Sequence, residues 1–134
     1  KEAAPKPVYQ EQTRSTIMVV EDEEDLLDLM VDTLSPYYDV KTFNNGKKAY
    51  DHLDEHAWEL IISDLRMPVM DGMELYHEVV KNHPLLKKRF MFVTGDTYDY
   101  EVKEFLENTG VVFSRKPFRI KELRDVVHKQ IQVR

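Results

Sequence analysis

Leu60-Ile61-Ile62-Ser63-Asp64 is an almost unbroken apolar run closed by a carboxylate. A run without alternation is what a strand shows when helices cover both faces of its sheet. Two more runs also end at a polar residue: Ile17-Met18-Val19-Val20 before Glu21-Asp22, and Phe90-Met91-Phe92-Val93 before Thr94. Longer segments with helical spacing lie between them. Leu26, Leu27, Leu29, Met30 and Leu34 form the first, which ends before Pro36. Ala49, Tyr50 and Leu53 mark a second after the turn signal Asn44-Asn45-Gly46. Met73, Leu75, Tyr76, Val79 and Val80 follow the turn Asp71-Gly72 and stop near Pro84. Val102, Phe105 and Leu106 mark a fourth, closed by Asn108-Thr109-Gly110, and Leu123, Val126, Val127 and Ile131 a fifth. Short strands at Tyr38 to Phe43 and Val111 to Phe113 complete five β-α repeats. That order predicts an α/β, doubly wound (βα)5 sandwich: a five-stranded parallel sheet with right-handed crossovers and helices on both faces. The strand ending at Asp64 is expected at its centre.

The 134 residues suit one domain with a real core, and 42% apolar with 33% charged residues are globular values. A net charge of -6 argues against nonspecific nucleic-acid binding. The absence of cysteine excludes disulfides and thiolate metal sites and fits a reducing compartment. No run approaches the roughly 20 apolar residues of a membrane span, and no signal peptide is visible. A cytoplasmic domain without membrane contact of its own is expected, whose parent can still be membrane-anchored. Residues 1–14, with two prolines and no periodicity, read as a linker or tail, and 15–134 as the folded domain. A first residue other than methionine fits a processed or excised piece.

In open α/β sheets, ligands bind beyond the strand ends, at a switch in strand order. Asp22, Asp64, Thr94 and Lys116 each fall within a few residues of such an end. Glu21, Asp22 and Asp64 would repel one another as carboxylates, and a hard divalent cation relieves that. Mg2+ suits the set, since it takes one or two carboxylates, keeps waters and holds phosphate oxygens. Asp22 and Asp64 are expected as direct ligands, Glu21 through a water, and the Arg66 backbone carbonyl as a further ligand. A carboxylate can also be a nucleophile toward phosphorus, and Asp64 ends the most buried strand. Lys116 and the Thr94 hydroxyl would then hold phosphoryl oxygens. Pro117 restricts Lys116 to extended backbone, which helps aim its ammonium. Each piece alone has a plainer reading: a charged helix start at residues 21–25, with Glu23 onward capping it, a strand-end hydroxyl at Thr94, a solvated lysine at Lys116. Their combination carries the case.

The chain resembles the receiver (CheY-like) domain of two-component response regulators over roughly residues 15–132, and so its flavodoxin-like sandwich. The matching stretches are Ile17-Met18-Val19-Val20-Glu21-Asp22-Glu23, Asp64-Leu65-Arg66-Met67-Pro68-Val69-Met70-Asp71-Gly72, Val93-Thr94-Gly95 and Lys116-Pro117-Phe118. Thr94 follows Asp64 by 30 residues and Lys116 follows Thr94 by 22, intervals that also look like that family. The resemblance implies that Asp64 accepts a phosphoryl group from a phosphohistidine, with Mg2+ at Asp22 and Asp64. It further implies a switch hydroxyl at Thr94 and phosphate contact by Lys116. Two positions depart from the commonest pattern. Glu21 stands for the more usual aspartate, and Phe113 stands where the switch aromatic is often tyrosine, so it can act by packing only. Thr94-Gly95-Asp96 with residues 104–110 looks like receivers of hybrid sensor histidine kinases, and the proline-bearing leader fits a tether from one.

The implied partner is a histidine kinase or histidine phosphotransfer domain, docking near the first helix and the rim around Asp64. The face from the fourth to the fifth helix is a candidate dimer surface, and Tyr98 and Tyr100 a candidate partner face. No helix-turn-helix follows Lys116-Pro117, so direct reading of nucleic acid is not expected. Two other functions compete. A Mg2+-dependent phosphohydrolase working through a phospho-aspartate and resembling the haloacid-dehalogenase group would carry a second acid two residues after the nucleophile, where this chain has Arg66. A non-phosphorylated interaction module would have no need of Asp64 or Lys116. Arg66 and Asp96, each two residues past a strand-end residue, could pair over the site. The five histidines show no metal spacing and read as surface residues.

Overall fold

A computed structural model describes residues 14–132 of the chain. The leader read as a linker lies outside the described residues, save Arg14. That residue is already tied down, donating to the Tyr38 carbonyl at 2.9 Å.

Five strands form the sheet: β1 (Thr16–Val20), β2 (Asp39–Phe43), β3 (Trp58–Asp64), β4 (Phe90–Thr94) and β5 (Val112–Arg115). All neighbours are parallel in the order β2-β1-β3-β4-β5, so β3 is central, as its apolar run predicts. Six of its seven residues are buried. Five helices alternate with the strands: α1 (Glu24–Leu34), α2 (Gly46–Asp51), α3 (Gly72–Asn82), α4 (Tyr100–Thr109) and α5 (Ile120–Gln132). Short 3-10 turns at Leu53–Glu55 and Pro84–Arg89 complete the connections.

Side chains alternate across a strand, and the core divides accordingly. Ile17, Val19, Leu60, Ile62, Met91 and Val93 face α1 and α5. Met18, Val20, Ile61, Phe90 and Phe92 face α2, α3 and α4. On the second face Phe92 stacks on Phe90 with centroids 5.6 Å apart, and Tyr76 and Phe105 meet these rings edge-on. Aromatic pairs in such geometries add to burial, so α3 and α4 are pinned to β4.

Two helix starts correct the sequence reading. Asp71 is the N-cap of α3 rather than a turn residue: its carboxylate accepts from the Glu74 N–H at 2.9 Å, and the Glu74 carboxylate accepts from the Asp71 N–H at 3.0 Å. Asn45 likewise caps α2 by accepting from the Lys48 N–H. Glu23, expected to cap α1, stands at the N-cap position but makes no side-chain cap bond, leaving Glu24 and Asp25 to complement the dipole. The fourth helix ends as expected, with Gly110 left-handed at φ 66°.

Val69, between β3 and α3, is a β-branched residue at φ 71° with 78% of its surface exposed. The left-handed region costs such a residue about 1–2 kcal/mol. Val69→Gly removes that cost while losing little burial, and glycine's extra unfolded-state entropy offsets part of the gain. A net stabilisation of up to about 1 kcal/mol is expected as a higher urea midpoint at unchanged slope. A lower midpoint would mean that the valine side chain holds the loop.

Candidate functional site

The crevice opens beyond the C-terminal ends of β1 and β3, where the chain reverses its direction across the sheet. The parallel register aligns Val20 with Ser63, Asp64 with Val93, and Thr94 with Arg115. Residues just past these positions therefore meet, although the sequence separates them widely.

Asp64, the last residue of β3, is 7% exposed. The Lys116 ammonium donates to its Oδ2 at 2.8 Å and to Glu21 Oε1 at 3.2 Å. Glu21 is buried beyond β1, and its other oxygen accepts from the Glu23 N–H at 3.0 Å. Asp22 beside it is exposed. Oxygens of Glu21, Asp22 and Asp64 all lie within 4.8 Å of one another. Three carboxylates thus face one ammonium, an excess of negative charge that suits a divalent cation. Ligand oxygens opposite each other around Mg2+ span roughly 4.2 Å, so the triad needs only small closure to hold one. Among the described residues this is the one group of acids and histidines so arranged.

Burial pushes the Glu21 carboxyl above its ordinary pKa of 4.5, the Glu23 N–H working against the shift and the charge of Asp64 with it. For Lys116, burial works to lower the pKa, but the hydrogen bond and charge of Asp64, joined by Glu21, outweigh it and hold the ammonium above 10.5. The ammonium is therefore permanently charged at neutral pH. A raised carboxyl pKa means the native state binds the proton more tightly than the unfolded chain, so stability falls as pH rises through the native pKa. Glu21→Gln abolishes that loss, keeps an acceptor for the Glu23 N–H and leaves Lys116 its bond to Asp64. The variant is expected to melt a few degrees higher at pH 7 without divalent cations. That gain should vanish below about pH 4, where both states carry the proton. Lower stability than wild type at pH 7 would assign the Lys116–Glu21 pair a net stabilising role instead.

Thr94 ends β4 fully buried. Its hydroxyl accepts from the Asp96 N–H at 3.1 Å, leaving its own proton uncommitted by that bond. Its carbonyl accepts from the Lys116 N–H at 2.9 Å, so the same residue fixes the lysine's backbone. The Lys116–Pro117 bond is cis. Arg66 sits two residues past Asp64, with its N–H 3.4 Å from Asp64 Oδ1. Its guanidinium pairs with Asp96 as the sequence suggested, and also with Asp99 and Glu101, which the sequence reading missed.

Phe113 lies apart from this cluster. It is 37% exposed on β5 and lines a cleft of about 360 Å³ with Tyr98, Lys103, Leu106 and Arg115. Tyr98 and Tyr100, expected on a partner face, are both exposed. His128, read as a surface residue, is held by a hydrogen bond with the Tyr38 hydroxyl. The sequence reading also passed over Gly72 as part of the site. A Cβ there would stand 2.1 Å from the Asp64 carbonyl oxygen, so α3 starts directly against the end of β3.

Comparison with known proteins bears on the arrangement. The family described as the response regulator receiver domain matches residues 17–128. The chain belongs to that family. The receiver is 31% identical over 116 residues to the response regulator receiver protein CpdR of Brucella abortus, covering 86% of this chain and 95% of that protein. It is 32% identical over 121 residues to the sensor kinase CckA of the same organism, covering 88% of this chain but 13% of the kinase. A CheY-like receiver domain from Methanospirillum hungatei superimposes with a TM-score of 0.80 at 22% identity, covering 90% of this chain and 96% of that one. The doubly wound parallel sandwich read from the sequence is therefore the fold of the family. Receivers serve two-component phosphorelays together with histidine kinases, and as a family they bind Mg2+ in an acidic pocket. No helix among the described residues is long and apolar enough to cross a membrane.

Proposed function

We propose that this receiver takes a phosphoryl group from a phosphohistidine onto Asp64 and changes conformation in response. The observation carrying this reading is the Lys116 ammonium held 2.8 Å from a nearly buried carboxylate inside a three-acid cluster. In the step, Asp64 Oδ attacks phosphorus, the P–N bond to the donor imidazole breaks, and the imidazole nitrogen keeps the electron pair. Asp64 is fit for this because burial limits competing water while its charge remains balanced by Lys116.

Glu21, Asp22 and Asp64 would hold Mg2+, with the Arg66 backbone carbonyl as a further ligand. When bound, the ion neutralises charge on the transferring oxygens. Lys116 can follow a phosphoryl oxygen because its long stem needs only rotamer changes to leave Glu21. The uncommitted Thr94 proton can be donated to another oxygen. Such a shift would move the segment between β4 and α4, and Phe113 would respond by packing into the adjoining cleft.

The partner is a histidine kinase or histidine phosphotransfer domain, and similarity to a sensor kinase supports a hybrid-kinase parent as well as a free-standing regulator. The donor would dock across α1 and the rim around Asp64, in the cytoplasm, without nucleic acid or membrane as a partner of this domain. The α4 to α5 face is the surface for any dimer.

The test is to incubate the protein with Mg2+ and acetyl phosphate or a phosphorylated donor domain, then locate the added phosphoryl group by mass spectrometry. Modification of the peptide bearing Asp64 is expected, with loss of label when Mg2+ is chelated. A phosphoryl group found elsewhere, or none, refutes the reading.

A further inference from the structure

Arg66, two residues past Asp64, sends its side chain to the acids at the start of α4. Its Nη2 donates to Asp99 Oδ1 at 3.1 Å and to Glu101 Oε1 at 3.0 Å, and its Nε to Asp96 Oδ2 at 3.4 Å. The fourth contact, Nη1 to Asp71 Oδ2 at 3.8 Å, is an ion pair without a hydrogen bond. Meanwhile the backbone N–H of the same residue lies 3.4 Å from Asp64 Oδ1. One residue therefore touches the candidate phosphoacceptor with its main chain and ties the start of α4 with its side chain. Asp99 is the N-cap of α4, and Glu101 stands in its first turn.

The charges are unequal: four carboxylates surround a single guanidinium. Without the cation, Asp96, Asp99 and Glu101 would repel one another at the helix start. Phosphorylation of Asp64 replaces one carboxylate charge with a phosphoryl group of about −1.5 to −2, two residues from Arg66. A phosphoryl dianion offers a guanidinium a bidentate, charge-assisted partner, stronger than any one of these half-exposed carboxylates. The phosphoryl group and the α4 acids then compete for one cation.

We propose that Arg66 is a charge-exchange latch, holding the first turn of α4 before phosphorylation and released from it by the phosphoryl group on Asp64. The latch rests on Asp64 as the acceptor, and it makes Arg66 a positioning residue rather than a participant in bond-making. Removing the cation, by mutation or by exchange, loosens the same helix end.

The experiment measures hydrogen exchange of amides in residues 99–104 for wild type, Arg66→Gln and Glu101→Gln, each before and after acetyl phosphate with Mg2+. Labelling of each sample is read in parallel. In wild type, exchange in this segment is expected to rise by about fivefold on phosphorylation, as loss of a small network of exposed pairs permits. Arg66→Gln should show that faster exchange already without phosphate, and phosphorylation should add little to it. Glu101→Gln keeps the guanidinium but weakens its hold, so it should lie between the two. Wild type that labels normally, yet shows the same 99–104 exchange as Arg66→Gln before phosphorylation, overturns the latch alone. Phosphorylation that still accelerates the segment in Arg66→Gln overturns it also. Wild type that takes no label at Asp64 removes the acceptor and the latch together.

Discussion

Asp64→Asn is expected to abolish phosphoryl labelling, lowering it by about a hundredfold or more, as loss of a nucleophile does. The variant keeps the shape of the side chain, and its amide oxygen can still accept from Lys116 in place of the 2.8 Å bond to Oδ2. What it loses is a carboxylate whose lone pairs attack phosphorus, because an amide oxygen is a far weaker nucleophile. Folding should survive. Lys116 retains Glu21 at 3.2 Å, and removing the Asp64 charge removes one of the causes that raise the Glu21 pKa. Circular dichroism and melting temperature should therefore match or exceed wild type while labelling disappears. Undiminished label on a folded variant would mean that another side chain carries the phosphorus.

The strands most legible in the sequence are those buried on both sides. β1, β3 and β4 are near-continuous apolar runs, and their flanks on a doubly covered sheet leave no other reading. The end strand β5 was harder. Its burial alternates between half-buried and exposed over four residues, and the expected strand at Val111 to Phe113 lies one to two residues early. The helix starts at Asn45 and Asp71 look like turns in the sequence because the same side-chain chemistry serves both. For the site, Asp22, Asp64, Thr94 and Lys116 were legible as strand-end polar residues, and the structure gathers them at one rim. The partners that hold them were not. Lys116 meets Glu21 across 95 residues, and Arg66 meets Asp99 and Glu101 across 33 and 35. Such pairs depend on register and loop path, which local periodicity does not encode. Glu21 is the most buried acid of the three, a feature that a polar residue after an apolar run does not reveal by itself.

Gly72→Ala is expected to destabilise the domain by about 2 kcal/mol or more, although alanine is the better helix former. The added Cβ would stand 2.1 Å from the Asp64 carbonyl oxygen, 3.0 Å from its carbonyl carbon and 3.0 Å from the Leu65 Cα. These are main-chain atoms, so no rotamer change relieves the overlap. Either α3 withdraws or the end of β3 bends. Withdrawal breaks the Gly72 N–H bond to the Leu65 carbonyl at 2.9 Å and loosens Met73, Leu75, Tyr76 and Val79 from the core. Bending shifts Asp64 itself. The gain in helix propensity, about 1 kcal/mol, is smaller than either cost, and the clash decides the sign. A fall in melting temperature of roughly 6–10 °C should result for a domain of this size. Labelling of Asp64 should drop at temperatures where the variant is still folded, because the acceptor no longer meets Lys116 correctly. Gly95→Ala is the control next to the same site: its nearest contact would be the Lys116 Cβ at 3.7 Å, an ordinary distance. Its stability should stay within about 0.5 kcal/mol of wild type. Equal losses in the two variants would trace the effect to a general need for glycine around the rim, not to the contact between α3 and the acceptor strand.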